Sequence, residues 1–209
     1  MNARLNSGKL GLCILAGIVL TGCPIQKRLP IPQQTFLLEV QRPQEEKPAA
    51  LPVCLRISSC TPASPYAGTP FIYRTGPTVY EKDAYNAFLV SPDEQITEIL
   101  NQWYLSSGLF SCPPKADTLR MEPHLNILHT DFRDKNKPAA VVQMNFRLTR
   151  TDKTCSCPIV LLNKTYSAEI PLLQTPAASD IVSGSSTALT SILQELERDV
   201  VQSIASTSL

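Results

Sequence analysis

The side chains best suited to acid–base chemistry are the two histidines, His124 and His129. Both fall in one predicted strand, and because they are five positions apart, they are expected on opposite faces of a sheet. His129 lies close to Asp131, as half of an acid–base pair would, but residues at strand ends more commonly have structural roles. The sequence contains no GxSxG elbow, no HExxH motif and no P-loop. We therefore expect no enzymatic activity, and neither a cofactor nor a metal.

Cys23 is the residue at which covalent chemistry is expected. A positively charged start precedes the apolar segment Leu10–Leu20, which is too short to span a membrane as a stable anchor. Leu20-Thr21-Gly22-Cys23 then resembles a bacterial lipobox, whose cysteine becomes the lipid-modified N-terminus. An ordinary signal peptide, or a poor transmembrane helix that happens to end in cysteine, is the alternative. The pattern predicts a lipoprotein signal peptide over residues 1–22 and acyl chains such as palmitate on Cys23.

A lipid anchor fixes the expected location and domain organisation. Each buried methylene contributes about 0.8 kcal/mol, and more than one chain gives stable anchoring. Cys23 is followed by Pro24, not by the Asp that favours inner-membrane retention, so we expect the periplasmic face of the outer membrane. The lipidated cysteine and a tether occupy residues 23–34, and a single domain occupies residues 35–209. A formal net charge of +1 gives no electrostatic basis for binding nucleic acid.

Five cysteines remain beyond Cys23, namely Cys54, Cys60, Cys112, Cys155 and Cys157. An oxidising compartment favours disulfides among them, but the sequence does not determine their pairing. If residues 53–60 form one strand, Cys54 and Cys60 lie roughly 20 Å apart and cannot pair. A bridge between Cys155 and Cys157 is strained, so a bond from Cys112 or Cys60 to the turn carrying them is favoured. Retention of several reduced or buried thiols is the alternative.

The stretch from Phe71 to Phe110 positions the other candidate residues. Phe71–Tyr73 consists of strand formers. Ser91 suits a helix N-cap, and Gly108 suits the C′ position of the same helix. Apolar residues recur between them at helical spacing, at Ile96, Ile99, Leu100, Trp103 and Tyr104. The stretch predicts a strand, a connection that carries Tyr80, Tyr85 and Phe88, and a helix.

The remaining pattern predicts an α+β domain. Short strands are expected at residues 35–40 and 53–59, and alternation predicts three long strands at residues 119–130, 140–148 and 159–170. Pro123 cannot donate to a ladder and indicates an edge or a bulge. A last helix follows Ser179, weakened at its start by Gly184, with solvated charges between Glu195 and Asp199. The predicted fold is an antiparallel sheet with a C-terminal three-strand meander and two main helices packed on one face.

The central stretch also resembles a known family. Tyr73-Arg74, then Tyr85, then an aromatic residue before a capped helix, then Ser107–Phe110 is similar to the ABC-type transport auxiliary lipoproteins. These are the small lipoprotein partners of MCE-domain lipid transport systems. Family members commonly carry Trp where Phe88 stands, so a hydrogen bond from the indole N–H is absent here.

The resemblance implies the same order of elements and a non-enzymatic role at the outer membrane. The lipoprotein would dock the distal end of an MCE-domain conduit, and an inner-membrane transporter would drive lipid movement. Tyr73, Arg74, Tyr85 and Phe88 would contact the partner or support the fold, and Arg74 would either bind an internal carboxylate or touch the partner. A homo-oligomeric collar would suit a cylindrical conduit.

A different envelope machine is the alternative function. A secretin pilot or an activator of a cell-wall synthase would share the lipid anchor and an α+β domain. Direct lipid carriage is a variant of the transport hypothesis, and it predicts an apolar cavity between the helices and the sheet.

Overall fold

The computed structural model describes residues 32–43, 50–151 and 157–206. These residues form eight strands and two α-helices, which follow one another as β1 (Gln34–Phe36), β2 (Val53–Ile57), β3 (Thr61–Pro62), β4 (Pro70–Arg74), β5 (Tyr80–Phe88), α1 (Pro92–Ser107), β6 (Asp117–Asp131), β7 (Ala139–Thr151), β8 (Pro158–Pro171) and α2 (Ala178–Ser206). The expected signal peptide, Cys23 and residues 24–31 of the tether lie outside the described residues.

The α+β prediction is confirmed, and the sheet is built around an antiparallel meander. Strands β6, β7 and β8 pair in sequence, and the full order is β1-β5-β4-β6-β7-β8. Strand β5 was expected only as a connection. It pairs antiparallel with β4 and parallel with β1. Parallel pairing also joins β4 to β6, so the meander is extended by strands from the first half of the chain.

One edge of β6 is occupied by three separate segments, all parallel to it. Strand β2 pairs from Asp117 to Met121, β3 pairs at His124 and Leu125, and β4 pairs at Thr130 and Asp131. Strand β6 is therefore an interior strand, although its pairing with β3 and its pairing with β4 each span only two residues.

Pro123 lies at the gap between the first two of these segments. On this edge, the carbonyl of Met121 accepts a hydrogen bond from the Ser58 amide, and the carbonyl of Leu125 accepts one from the Ala63 amide. The nitrogen of Pro123 faces the same edge because strand groups alternate sides with a period of two. Strand β2 has already ended there and β3 has not begun. The missing donor therefore falls where no ladder bond is needed, and the strand bulges only after Leu125.

Helix α1 has the predicted bounds but not the predicted N-terminal hydrogen bond. The side chain of Ser91 makes no capping bond, whereas Gly108 adopts a left-handed φ of 64° at the C-terminal end. Gln95 takes over near the start of the helix, since its side chain donates to the Val90 carbonyl at 2.6 Å and accepts from the Leu38 amide at 2.8 Å. The helix is thereby bonded to the segment that follows β1.

Helix α2 packs closely against the meander from its first turns. A Cβ added at Gly184 would lie 2.7 Å from the Leu172 side chain and 3.0 Å from Ala140 on β7. The glycine is therefore a point of close approach, and the helix runs unbroken from Ala178. Its buried stripe joins the core formed by α1 and the sheet. Neither helix in the described part of the chain combines the length and apolar character needed to cross a membrane.

Glu197 joins three parts of the domain, although it was expected to face solvent. It accepts from Trp103 Nε1 on α1 at 2.7 Å and forms a bidentate pair with Arg42 at 2.6 and 3.1 Å. A two-bond arginine–carboxylate pair is among the stronger polar contacts in proteins. The segment after β1, α1 and α2 are therefore fixed to one another by a single carboxylate.

The cysteine pairing differs from the favoured one. Cys54 on β2 is bonded to Cys112 after α1, with Cα atoms 4.5 Å apart, so Cys112 does not reach the turn after β7. Cys60 is a buried free thiol, and burial raises its pKa to about 12. The expectation that Cys54 and Cys60 do not pair is confirmed. Cys157 is also disulfide-bonded, and Cys155 lies outside the described residues.

The first prediction concerns the Cys54–Cys112 bond, which closes a loop with a sequence separation of 58. Replacing both residues with alanine releases this constraint on the unfolded chain, so we expect the free energy of unfolding to fall by about 4 kcal/mol. Urea unfolding of the oxidised protein and of the double variant measures the difference. Cys60→Ala, which removes a buried thiol but breaks no disulfide, is the control. Equal stability of the double variant and the oxidised protein would contradict the assignment.

Candidate functional site

Tyr73 supports an irregular part of the hairpin formed by β4 and β5. Its phenol donates to Asp83, whose carboxylate also accepts from the amides of Tyr85 and Asn86 at 2.7 and 3.1 Å and from the Asn86 side chain at 2.8 Å. The strand register shifts over the same interval, between the partners of Pro70 and Ile72. Tyr73 and Asp83 therefore fix the backbone at which β5 turns toward β1.

The pKa values of this pair reflect a charged acceptor and a neutral donor. Burial alone would raise the pKa of Asp83, but hydrogen bonds from Tyr73 and Asn86 outweigh it and lower the pKa below its usual value of 3.8. Burial, and then the bond to Asp83, raises the pKa of Tyr73. The phenol therefore remains a donor at neutral pH.

Phe88 and Tyr85 have opposite environments. Phe88 is buried and packs on Phe71 with ring centroids 4.7 Å apart. Tyr85 is 52% exposed at the bend that Asp83 holds. Phe88 is therefore a core residue, and Tyr85 is available to a partner.

Arg74 pairs with no carboxylate of the described residues. One terminal nitrogen donates to the Pro77 carbonyl at 3.0 Å, and the guanidinium lies 5.6 Å from the ring centre of Tyr80. Its Nε is buried and has no hydrogen-bond partner. Of the two expected roles of Arg74, an internal carboxylate partner is not found among the described residues, and contact with a partner protein stays a prediction.

His129 lies in the same cluster, between two tyrosines. Its Nδ1 is 3.2 Å from the Tyr66 hydroxyl, and its ring meets the Tyr80 ring edge-on at 5.6 Å. Its Nε2 is buried without a partner. Burial is the largest cause that lowers its pKa to about 4, so the ring is neutral at physiological pH.

The two histidines lie on the same face of β6, contrary to the prediction from parity. The bulge after Leu125 adds one residue to β6, which reverses the alternation beyond it. His124 bonds the Thr61 hydroxyl at 2.8 Å, whereas His129 contacts Tyr66. Each ring has its own partner, so the structure does not assemble them into one acid–base pair.

Asp131 is engaged by Arg133 rather than by His129 or Arg74. Both of its carboxylate oxygens accept from Arg133, at distances of 2.6 to 3.0 Å. These bonds are the largest cause that lowers the pKa of Asp131. Asp131 therefore forms a local ion pair with Arg133 at the end of the strand, and not the acid–base pair considered for His129.

We call Tyr66, Arg74, Tyr80 and His129 the Arg74 cluster. The family resemblance singled out Arg74, but no signal in the sequence indicated Tyr66, which follows β3 in a short 3₁₀ turn. Tyr80 was expected only in the connection before α1. Its position opposite Arg74 follows from the hairpin register.

Lipid carriage was expected to need an apolar cavity between the helices and the sheet, and open grooves lie there in the described part of the chain. A groove of about 690 Å³ lies between β1 and the first half of α2, and hydroxyl side chains such as Ser183 and Ser186 line one wall. A second groove of about 360 Å³ lies between β2 and α1, with Val53 and Leu105 in its lining. A smaller pocket of about 10 Å³ lies beside Phe88, between α2 and the sheet. In the described parts of the chain, no group of three or more His, Cys, Asp or Glu side chains could hold a metal ion.

Two solved structures share this fold. A crystal structure of a DUF330-family protein from Xanthomonas campestris has a TM-score of 0.71 and 14% identity, and the match covers 84% of this chain and 99% of that chain. A crystal structure of an uncharacterised protein has a TM-score of 0.60 and 14% identity, covering 81% and 99% of the two chains. No protein-family model matches the sequence, and no curated protein matches it. The likeness establishes the fold.

The second prediction tests the structural role of Tyr73. Tyr73→Phe removes a hydrogen bond to a charged acceptor, so we expect a loss of about 1 kcal/mol in urea unfolding. Tyr85→Phe is the matched control, because it removes an exposed hydroxyl, and we expect it to change stability by less than about 0.5 kcal/mol. Asp83→Asn should also lower the free energy of unfolding. The full loss is expected above pH 3.8, the pKa of the unfolded chain, and the loss should shrink as the pH falls through the lower pKa of the folded protein. Equal effects of the two tyrosine variants would contradict this role.

The third prediction tests the burial of His129. As the pH falls from 6.5 to about 4, the unfolded imidazole takes up a proton while the folded one stays neutral, so the wild-type protein loses stability. The loss is at most about 3 kcal/mol before solvent screening reduces it. His129→Phe keeps a ring between the tyrosines and removes this pH dependence. Unfolding curves of both proteins at pH 4.5, 6 and about 8 measure it, and parallel profiles would contradict the assignment.

Proposed function

We propose that this protein is a non-enzymatic envelope lipoprotein that acts as an auxiliary component of an ABC/MCE-type lipid transport system. It docks the lipid conduit at the periplasmic face of the outer membrane. The chain has no nucleotide-binding motif, so the energy for transport comes from an inner-membrane partner.

The anchor rests on the sequence around Cys23. The basic start, the short apolar segment and the cysteine of the lipobox-like motif follow one another in the order that lipoprotein processing requires. The following Pro24 favours the outer membrane. The tether predicted within residues 23–34 carries several prolines, and it would let the domain reach a partner away from the lipid surface.

The observation that carries the transport proposal is the position of the family-like residues in the fold. The order of elements is the one that the resemblance implies, and the sequence signature maps onto one hairpin and the two ends of α1. Tyr73 and Phe88 build this region, while Arg74 and Tyr85 reach its surface. A shared signature that both builds and presents one surface is consistent with a docking module.

The proposed docking surface is the hairpin of β4 and β5. Val79, Tyr80 and Tyr85 are each about half exposed there, at 50%, 47% and 52%. Exposed aromatic residues beside an arginine have the composition of protein-binding hot spots.

The fourth prediction uses crosslinking in cells. A photo-crosslinking phenylalanine analogue replaces Tyr85, whose hydroxyl has no role in the fold, and mass spectrometry identifies the captured protein. We expect an MCE-domain protein to dominate. The matched control carries the analogue at Leu105 on α1, which is 85% exposed.

Two results would contradict the proposal. A secretin or a cell-wall synthase at Tyr85 would transfer the protein to another envelope machine and leave the fold and the anchor unchanged. The same capture at Tyr85 and Leu105 would show that the hairpin is not a specific surface.

A further inference from the structure

The Arg74 cluster has a geometry that the docking proposal does not explain. Strand register places Tyr80 of β5 opposite Arg74 of β4, and Arg74 beside Asp131 of β6. His129 lies two residues before Asp131 and therefore on the same face. Tyr80, Arg74 and His129 thus come from three adjacent strands and meet at one place, and the Tyr80 ring contacts the other two at 5.6 Å.

Two hydrogen-bonding atoms in this cluster are buried without a partner. They are Nε of Arg74 and Nε2 of His129, and the whole His129 residue is only 6% exposed. Leaving a buried polar group unpaired typically costs about 1 to 3 kcal/mol, and more for a charged group. Two such atoms, on side chains that both contact the Tyr80 ring, indicate a place prepared for an acceptor.

The charge of Arg74 is also left without a dedicated counter-ion among the described residues. Asp131 is its neighbour across the strands, but Arg133 already occupies both oxygens of that carboxylate. The Pro77 carbonyl, the acceptor that Arg74 does bind, is neutral. Arg74 is half-buried and bonds this neutral carbonyl, so an incoming anion would add an attraction that the described residues do not supply.

We propose that Arg74 and His129 form a binding site for one carboxylate of an acidic side chain on the docked protein, and that Tyr80 covers this site in the free protein. The identity of the protein that supplies the carboxylate rests on the proposed function, whereas the site itself does not. Tyr80 is 47% exposed, so its ring can move outward without opening the core. Tyr66 holds the imidazole in place from the other side.

A carboxylate fits the site better than a phosphate does. The two free atoms can supply two donors and one positive charge, which match the two oxygens and single charge of a carboxylate. A phosphate dianion would need a second cation, and Arg133 is already neutralised by Asp131.

The proposal also requires one tautomer of His129. The Tyr66 hydroxyl must donate to Nδ1, because the proton then lies on Nε2 and points to the carboxylate. If Nδ1 carried the proton, Nε2 would be an acceptor and would repel the ligand. The ring is neutral at pH 7, so one of these two forms is present.

The test adds a peptide stepwise to the full chain. Nuclear magnetic resonance of the Arg74 Nε–H and the His129 ring nitrogens monitors binding. The probe is the blocked peptide acetyl-Ala-Glu-Ala-amide, and acetyl-Ala-Gln-Ala-amide is its uncharged match. We expect saturable shifts of both signals with the Glu peptide only. Arg74→Gln should weaken binding at least tenfold. Arg56→Gln, which removes an exposed guanidinium on β2 outside the cluster, should change it less than twofold.

Three outcomes would overturn the proposal. These are no shift with the Glu peptide, equal shifts with the Gln peptide, and a His129 spectrum showing the proton on Nδ1. Saturation by inorganic phosphate at lower concentration than by the Glu peptide would also reject a carboxylate site. Binding of the Glu peptide by a protein that captures no MCE-domain partner in cells would leave the site intact and refute only the proposed function.

Discussion

The pairing of β6 along both of its edges is the constraint on which the rest of this structure depends. On one edge β7 continues the chain as a meander, and on the other edge three segments from the first half of the chain line up in parallel. Parallel neighbours require long crossover connections, and α1 supplies one of them by carrying the chain from β5 to the start of β6. The core, the disulfide between Cys54 and Cys112 and the Arg74 cluster all take their positions from this strand.

Two partly buried carboxylates then fix the elements that the sheet leaves adjustable. Asp83 receives a phenol, two amides and a side-chain amide at the bend of β5, and Glu197 receives an indole and a guanidinium between the helices. Each oxygen is satisfied, so burial of the charge is compensated. Polar groups of this kind determine geometry more than they add stability, because they leave few alternative arrangements that satisfy every bond.

Local signals in the sequence predicted the elements, and long-range pairing limited what else it could predict. The apolar spacing before Gly108 gave α1, and alternation gave the meander. The bulge after Leu125 has no sequence signature, so the parity of His129 was predicted wrongly. Strand β5 has few buried positions, so alternation did not predict it. Its parallel partner β1 also lies far from it in the sequence. Glu197 resembled any solvated helix charge, since its partners Trp103 and Arg42 are distant along the chain.

The same reasoning separates the roles of the residues that carried the family resemblance. Tyr73 and Phe88 maintain the hairpin and the core, so substitutions there act on stability first and on binding only through the fold. Arg74 is different, because the structure gives its guanidinium a neutral acceptor and an aromatic cover but no anion among the described residues. The fold itself does not neutralise this arginine among the described residues, so a charged partner is the role that the proposed carboxylate site assigns to it.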